Sequence, residues 1–253
     1  MIIFGAGRGL FFAEVIVKTF GKKVAALVDN NTAKHESIRK KLDEIGSPET
    51  RIFATAKEAF DAIPRSEANI AYVMTPESSH LELMKMSLDE GCHVFLEKPV
   101  AATQEDALEI LRLANSTDKI VGVGFVLRYS LFYRKIKELV DSGVIGNIVS
   151  IQMNERLALD HGPVYKRGWR RKLAFTGGFI NEKCSHDLDL MCWLKESQAD
   201  VSGVFSYGNQ SFCKKSGMPA NCSICDLEKC PWRINFDESQ SGQIDTMSAR
   251  PDT

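Results

Sequence analysis

No strong charge of either sign marks this chain: 32 Lys and Arg stand against 33 Asp and Glu, a formal net of −1. That balance gives no global basic field for nucleic acid or an anionic membrane. Long apolar runs are missing too, and none approaches the length of a membrane span. Met1-Ile2-Ile3-Phe4 runs straight into a glycine turn without a basic segment or small-residue cleavage site, so no signal peptide is expected. Internal repeats and low-complexity blocks are absent. These absences predict a cytoplasmic protein with no nucleic-acid or membrane partner and with its seven cysteines mostly reduced. At 253 residues the chain can bury the core of one large domain or two smaller ones.

The first half alternates strand and helix. Residues 2–4 read as a short apolar strand, 5–9 as a glycine turn, and 10–20 as helix closed by Gly21. A second strand over 23–28 ends at Asp29, and helix follows through Leu42 until Gly46 and Pro48 stop it. Thr55 and Glu58 have capping-box spacing ahead of another helix, and 69–74 is a buried strand. Residues 78–90 read as helix capped by Gly91, 93–96 as strand, Thr103 as a helix start, and 120–126 as strand. Repeated β-α-β units predict an α/β fold with a doubly wound, mostly parallel sheet.

Glycines at the first strand-to-helix turn, Gly5, Gly7 and Gly9 with Arg8 among them, would let backbone amides approach a pyrophosphate at a helix amino terminus. Asp29, 24 residues after Gly5, would accept from a ribose diol and repel a 2′-phosphate, which favours NAD over NADP. The third glycine falls one residue early for G-x-G-x-x-G, and Leu10 occupies its usual place. That departure implies a tighter turn or a less closely held nucleotide.

Lys98 lies in Glu97-Lys98-Pro99, directly after the apolar run His93-Val94-Phe95-Leu96. Open α/β sheets place ligands at the carboxyl ends of their strands, and desolvation there lowers a lysine pKa, making Lys98 a candidate proton carrier. In isolation the same tripeptide reads as a strand-end lysine facing water.

Thr75-Pro76-Glu77-Ser78-Ser79-His80 and Gly91 through Pro99 resemble signatures of the Gfo/Idh/MocA oxidoreductases, the glucose–fructose oxidoreductase and inositol dehydrogenase family. So do Gly124-Phe125-Val126-Leu127-Arg128-Tyr129, Ser142-Gly143-Val144-Ile145-Gly146, and Gly177-Gly178-Phe179 through His186-Asp187-Leu188-Asp189. The resemblance runs in order from Gly5 to about Trp193. It implies a Rossmann-type NAD-binding domain over 1–125 and an α+β substrate domain over 126–237, with a mostly antiparallel sheet. A polar tail over 238–253 follows. Relatives complete that sheet with more residues than the roughly 100 remaining after Ile148, so the domain reads as incomplete. The resemblance also implies cofactor contacts at Thr75, Pro76, His80, Glu97, Lys98, Trp169 and Arg170, and a homo-oligomer. For Trp169-Arg170-Arg171 an arginine-rich surface loop anchored by a tryptophan is an equal reading.

The second domain is expected to open with a strand over 148–155. Residues 179–194 read as an amphipathic helix on which Glu182, His186 and Asp189 fall at i, i+4 and i+7 and share a face. The family carries aspartate where this chain has Glu182. Lys183 is a second cation toward substrate, or pairs with Glu182 or Asp187. The implied chemistry is hydride transfer between nicotinamide and a secondary alcohol of a sugar or cyclitol. His186 would act as acid/base, with Lys98 orienting and relaying, Glu182 tuning the histidine or holding a hydroxyl, and Arg128 a further substrate contact. Transient-oxidation chemistry that cleaves or eliminates a glycoside, and a non-catalytic NAD-binding role, are the alternatives. Cys213, Cys222, Cys225 and Cys230 could hold a structural zinc. Reduced free thiols or disulfides fit the same spacing.

Overall fold

The structure is a computed structural model and describes residues 1–157, 165, 168–195 and 201–209. Met1–Phe125 and Lys172–Glu182 make one compact unit, and the remaining described residues make a second.

The first unit is built on six parallel strands: β1 (Ile2–Phe4), β2 (Ala26–Val28), β3 (Arg51–Phe53), β4 (Ile70–Val73), β5 (His93–Leu96) and β6 (Val121–Val123). Their spatial order is 3-2-1-4-5-6, with Ile3 in register with both Leu27 and Tyr72. A parallel sheet covered on both faces requires strands apolar on both faces, and Ile2, Ile3 and Phe4 are each at most 1% exposed. The period-2 alternation then divides the core. Phe4, Val28, Val73 and Leu96 pack on one face with Ala59 of α3 (Ala56–Ala62), Met84 of α4 (His80–Asp89) and Ile110 of α5 (Gln104–Ser116). Ile3 and Leu27 pack on the other with Ala13 of α1 (Ala6–Glu14) and Leu42 of α2 (His35–Glu44), where Phe12, Tyr72 and Phe95 form a ring cluster with centroids 5.5 to 6.0 Å apart.

Local signals set the helix starts. Thr55 Oγ1 accepts from Glu58 N at 3.2 Å while the Glu58 carboxylate accepts from Thr55 N at 3.1 Å, and Thr103 caps α5 through Asp106 N. The glycine turn differs from the sequence reading. It shrinks to Gly5, at φ +89°, whose N–H donates to Val28 O at 2.7 Å, so α1 starts at Ala6 and takes in Gly7 and Gly9. The helix ends in a π-helical turn, Val15–Thr19. A short 3-10 turn, Glu77–Ser79, precedes α4, and β2 and β6 are shorter than their apolar runs. Strand β3 was not foreseen; with Arg51 at its start and all three residues only half-buried, it lacks the apolar pattern of a central strand.

In the second unit, α6 (Leu131–Asp141) follows a 3-10 turn at Val126–Tyr129. Helix α7 (Leu173–Thr176) and the first turn of α8 (Phe179–Lys195) belong to the first unit, and Gly177 and Gly178, at φ +68° and +100°, separate the two helices. Residues 148–155, expected as a strand, are not in a strand; Ile148 O instead accepts from Lys195 Nζ at 2.7 Å. Among the described residues no helix is long and apolar enough to cross a membrane.

Candidate active site

The strand order reverses between β1 and β4, which opens a crevice at their carboxyl ends where such sheets bind ligands. The three glycines have separate tasks there. A Cβ on Gly5 would stand 2.8 Å from Met74 O, and one on Gly9 only 2.6 Å from Ile3 Cγ2. Gly9 therefore performs the close helix–strand packing of a third glycine from one residue earlier. Beyond the backbone of its own helix, nothing lies within 4 Å of a Cβ placed on Gly7, so its backbone is open to an approaching group. Asp29 is 8% exposed; its Oδ2 accepts from Ala6 N at 2.9 Å and its Oδ1 from Asn31 N at 3.0 Å. The carboxylate thus caps α1 from the end of β2, and His35 Nε2 fixes the same corner by donating to Asp29 O at 2.8 Å.

Arg8, in the first turn of α1, reaches Glu97 after β5, with Nε 2.8 Å from Oε1. Glu97 is 9% exposed, and burial pushes its carboxyl up while Arg8 and the Lys98 N–H oppose the shift. Gly124 makes room for it, since a Cβ there would lie 2.8 Å from Glu97 Oε2. Lys98 Nζ donates to Glu182 O at 2.8 Å. Burial lowers the Lys98 pKa from the ordinary lysine value, against the carboxylates of Glu182, Glu97 and Glu77, which favour the ammonium. Glu77 and Glu182 are each 4% exposed. The peptide bond between Lys98 and Pro99 is cis.

His80 has a different task from the one expected. It is fully buried, with Nδ1 3.1 Å from Val100 O and Nε2 3.0 Å from Thr75 O, so it ties two loops together and offers no surface to a nucleotide. Burial lowers its pKa, with the carbonyls of Thr75, Val100 and Pro99 acting the other way. Thr75 and Pro76 sit on the loop it holds, where Ser79 Oγ donates to Thr75 Oγ1 at 2.7 Å.

On α8, His186 follows Glu182 by one turn. Within the second unit, two substrate candidates are engaged by protein. Lys183 Nζ lies 2.7 Å from Glu155 Oε1 rather than pairing with Glu182 or Asp187; burial lowers its pKa, but the Glu155 bond and charge leave it raised overall. Arg128 holds Asp189 through two bonds, Nε to Oδ2 at 2.8 Å and Nη2 to Oδ1 at 2.5 Å, and its guanidinium lies 5.6 Å from the Trp193 ring centre. Arg170 stacks over Trp169 at 4.3 Å. The four cysteines from Cys213 to Cys230 lie outside the described residues, among which no group of three or more His, Cys, Asp or Glu could hold a metal. Sequence reasoning missed Glu77 and Asn181, whose roles depend on burial and on a contact 80 residues away.

Two family models match in tandem: an oxidoreductase-family NAD-binding Rossmann fold over residues 1–125, and that family's C-terminal alpha/beta domain over 137–251. The chain belongs to the Gfo/Idh/MocA oxidoreductase family. Among curated Gfo/Idh/MocA relatives, YteT of Bacillus subtilis strain 168, named as an oxidoreductase, is 32% identical over 187 residues, covering 74% of this chain and 42% of YteT. The scyllo-inositol 2-dehydrogenase (NAD(+)) of the same strain is 21% identical over 98% of this chain and 67% of its own length. Thus the chain spans less than half of YteT's length. Among solved structures, myo-inositol 2-dehydrogenase from Lactobacillus plantarum matches at TM-score 0.64 and 24% identity, over 76% of this chain and 55% of that one. The WlbA dehydrogenase from Bordetella pertussis, in complex with NADH and UDP-GlcNAcA, matches at 0.63 and 20%, over 76% and 58%. These structural likenesses show the Gfo/Idh/MocA fold.

Proposed function

We propose that this chain is an NAD-dependent dehydrogenase acting on a secondary alcohol of a sugar, sugar derivative or cyclitol. The observation that carries the reading is the 2.8 Å Arg8–Glu97 ion pair, which joins the glycine turn to the loop bearing the buried Lys98. The turn fits a dinucleotide: Gly7 leaves its backbone open, and α1 presents its amino terminus to the crevice. Two lone-pair positions of Asp29 are taken by backbone, and the other two are available to a ribose diol, which favours NAD over NADP. Thr75, Pro76, Glu97, Trp169 and Arg170 complete the proposed cofactor contacts, and the names of the inositol dehydrogenase relatives support a polyol substrate.

NAD, when bound, supplies the hydride acceptor for the alcohol carbon. The alcohol oxygen must lose its proton in the same step, leaving a ketone. Lys98, with its pKa lowered by burial, is suited to orient that hydroxyl and relay its proton. His186 would take the proton as base, and Glu182, one turn before it, would tune the imidazole or hold a neighbouring hydroxyl. The reading carries with it a homo-oligomer, as the family resemblance implies, and the cytoplasmic location expected from the sequence. Calorimetric titration with NAD and NADP is the first test, followed by a screen of sugars and cyclitols for steady accumulation of NADH. NAD binding without NADH from any polyol would move the reading to the transient-oxidation enzymes, and no binding of either nucleotide would overturn it.

A further inference from the structure

The loop following Lys98-Pro99 is held at two successive carbonyls by two different residues, and at the third it packs directly against a glycine. His80 takes Val100 O, the Asn181 amide donates to Ala101 O at 2.8 Å, and Ala102 O would lie 2.3 Å from any Cβ on Gly177. Asn181 does more than close this contact. Its Nδ2 also donates to Thr176 O at 2.7 Å, so one amide group fixes both the Lys98 loop and the last residue of α7. The next residue is Glu182, whose carbonyl accepts the Lys98 Nζ bond at 2.8 Å. The Glu182 N–H is spent on Gly178 O at 2.9 Å, which sets that carbonyl's place in the first turn of α8. From these contacts we propose that Asn181 is a positioning residue for Lys98. It docks the first turn of α8 on the loop after Pro99, and so holds the backbone carbonyl that fixes the direction of the ammonium.

Amide chemistry is required at this position. Two backbone carbonyls need two donors from one short side chain, which the Asn NH2 group supplies. Alanine offers none, and aspartate would set a carboxylate against both oxygens. The assignment rests on reading Lys98 as the proton-carrying group. Its test therefore uses no turnover: the full chain is labelled with acetic anhydride across a pH series, and Lys98 is followed by mass spectrometry with exposed Lys57 as control.

In Asn181→Ala and Asn181→Asp, Lys98 should gain water, so its labelling midpoint should rise toward the ordinary lysine value, with Lys57 unmoved. Calorimetry with NAD on the same samples reports separately on the proposed function, whose failure leaves the labelling result standing. An unchanged Lys98 midpoint in folded variants overturns the assignment. Rapid exchange of the Asn181 side-chain amide protons in the unaltered chain also overturns it, whether or not the variants fold, and slow exchange of both supports it.

Discussion

Asp29→Ala separates what the carboxylate does for the fold from what it does for a nucleotide. The substitution removes a buried charge-assisted bond to Ala6 N and a half-buried one to Asn31 N. Bonds to charged groups contribute about 1.5–3 kcal/mol each, and the lower figure or less applies to Asn31, whose N–H regains water. The Ala6 N–H stays in the crevice at the start of α1, where loss of a cap costs about 1 kcal/mol more or less. A total of about 3 kcal/mol corresponds to a Tm lowered by roughly 6–12 °C for a chain of this size. Asp29→Asn, which keeps one acceptor oxygen, should lose about half as much. Urea denaturation followed by circular dichroism measures both. An alanine variant within about 0.5 kcal/mol of the parent would refute the capping argument. Changing cofactor preference at Asp29 therefore has a stability cost, and a switch toward NADP needs a residue that still accepts from Ala6 N.

Gly7→Ala should leave stability unchanged or raise it by up to about 1 kcal/mol through helix propensity, while weakening NAD binding at least tenfold in calorimetry. Gly9→Val drives a branched side chain into Ile3 and should lower the Tm, an overpacking cost of about 1–3 kcal/mol. Burial disfavours the Lys98 ammonium, so the proton leaves at lower pH than from an exposed lysine; alcohol oxidation should rise with pH through a midpoint below 10.5 that Lys98→Ala removes. A midpoint at or above the ordinary value would count against Lys98. Arg128→Ala should destabilise the second unit by about 1–2 kcal/mol, read by urea denaturation, because the Asp189 side chain it leaves behind is only 7% exposed.

The sheet was legible because buried strands announce themselves as apolar runs between glycine turns, as in Ile2-Ile3-Phe4 and His93 to Leu96. Capping residues were legible for the same local reason: Thr55, Glu58 and Thr103 act on residues three positions away. Strand β3 was not, because an edge strand half-open to water has no need of the apolar pattern. Lys98, Glu97, Arg8 and the glycines could be named from sequence, but the division of labour among them could not. That Gly9 packs on Ile3 while Gly7 stays open is a matter of distances across the fold. His80 and Lys183 show the limit most plainly. A histidine in a signature can serve the backbone, and a lysine beside a helical carboxylate can reach a glutamate 28 residues before it.

The clasp around the Lys98 loop has a consequence for how this chain acquires its structure. Six strands and five helices of the first unit are in place by Val123, yet the segment that engages Ala101 and Ala102 arrives only with Lys172–Glu182. During synthesis from the amino terminus, the sheet can form while the lysine loop still waits for residues some eighty positions downstream. Closing so long a loop is slow but entropically cheap per added residue, which suits a late step. A piece cut after Phe125 would therefore contain the whole sheet and still lack part of its own folding unit. Exchange of this region between proteins, in nature or by design, has to carry the later segment along with the earlier one.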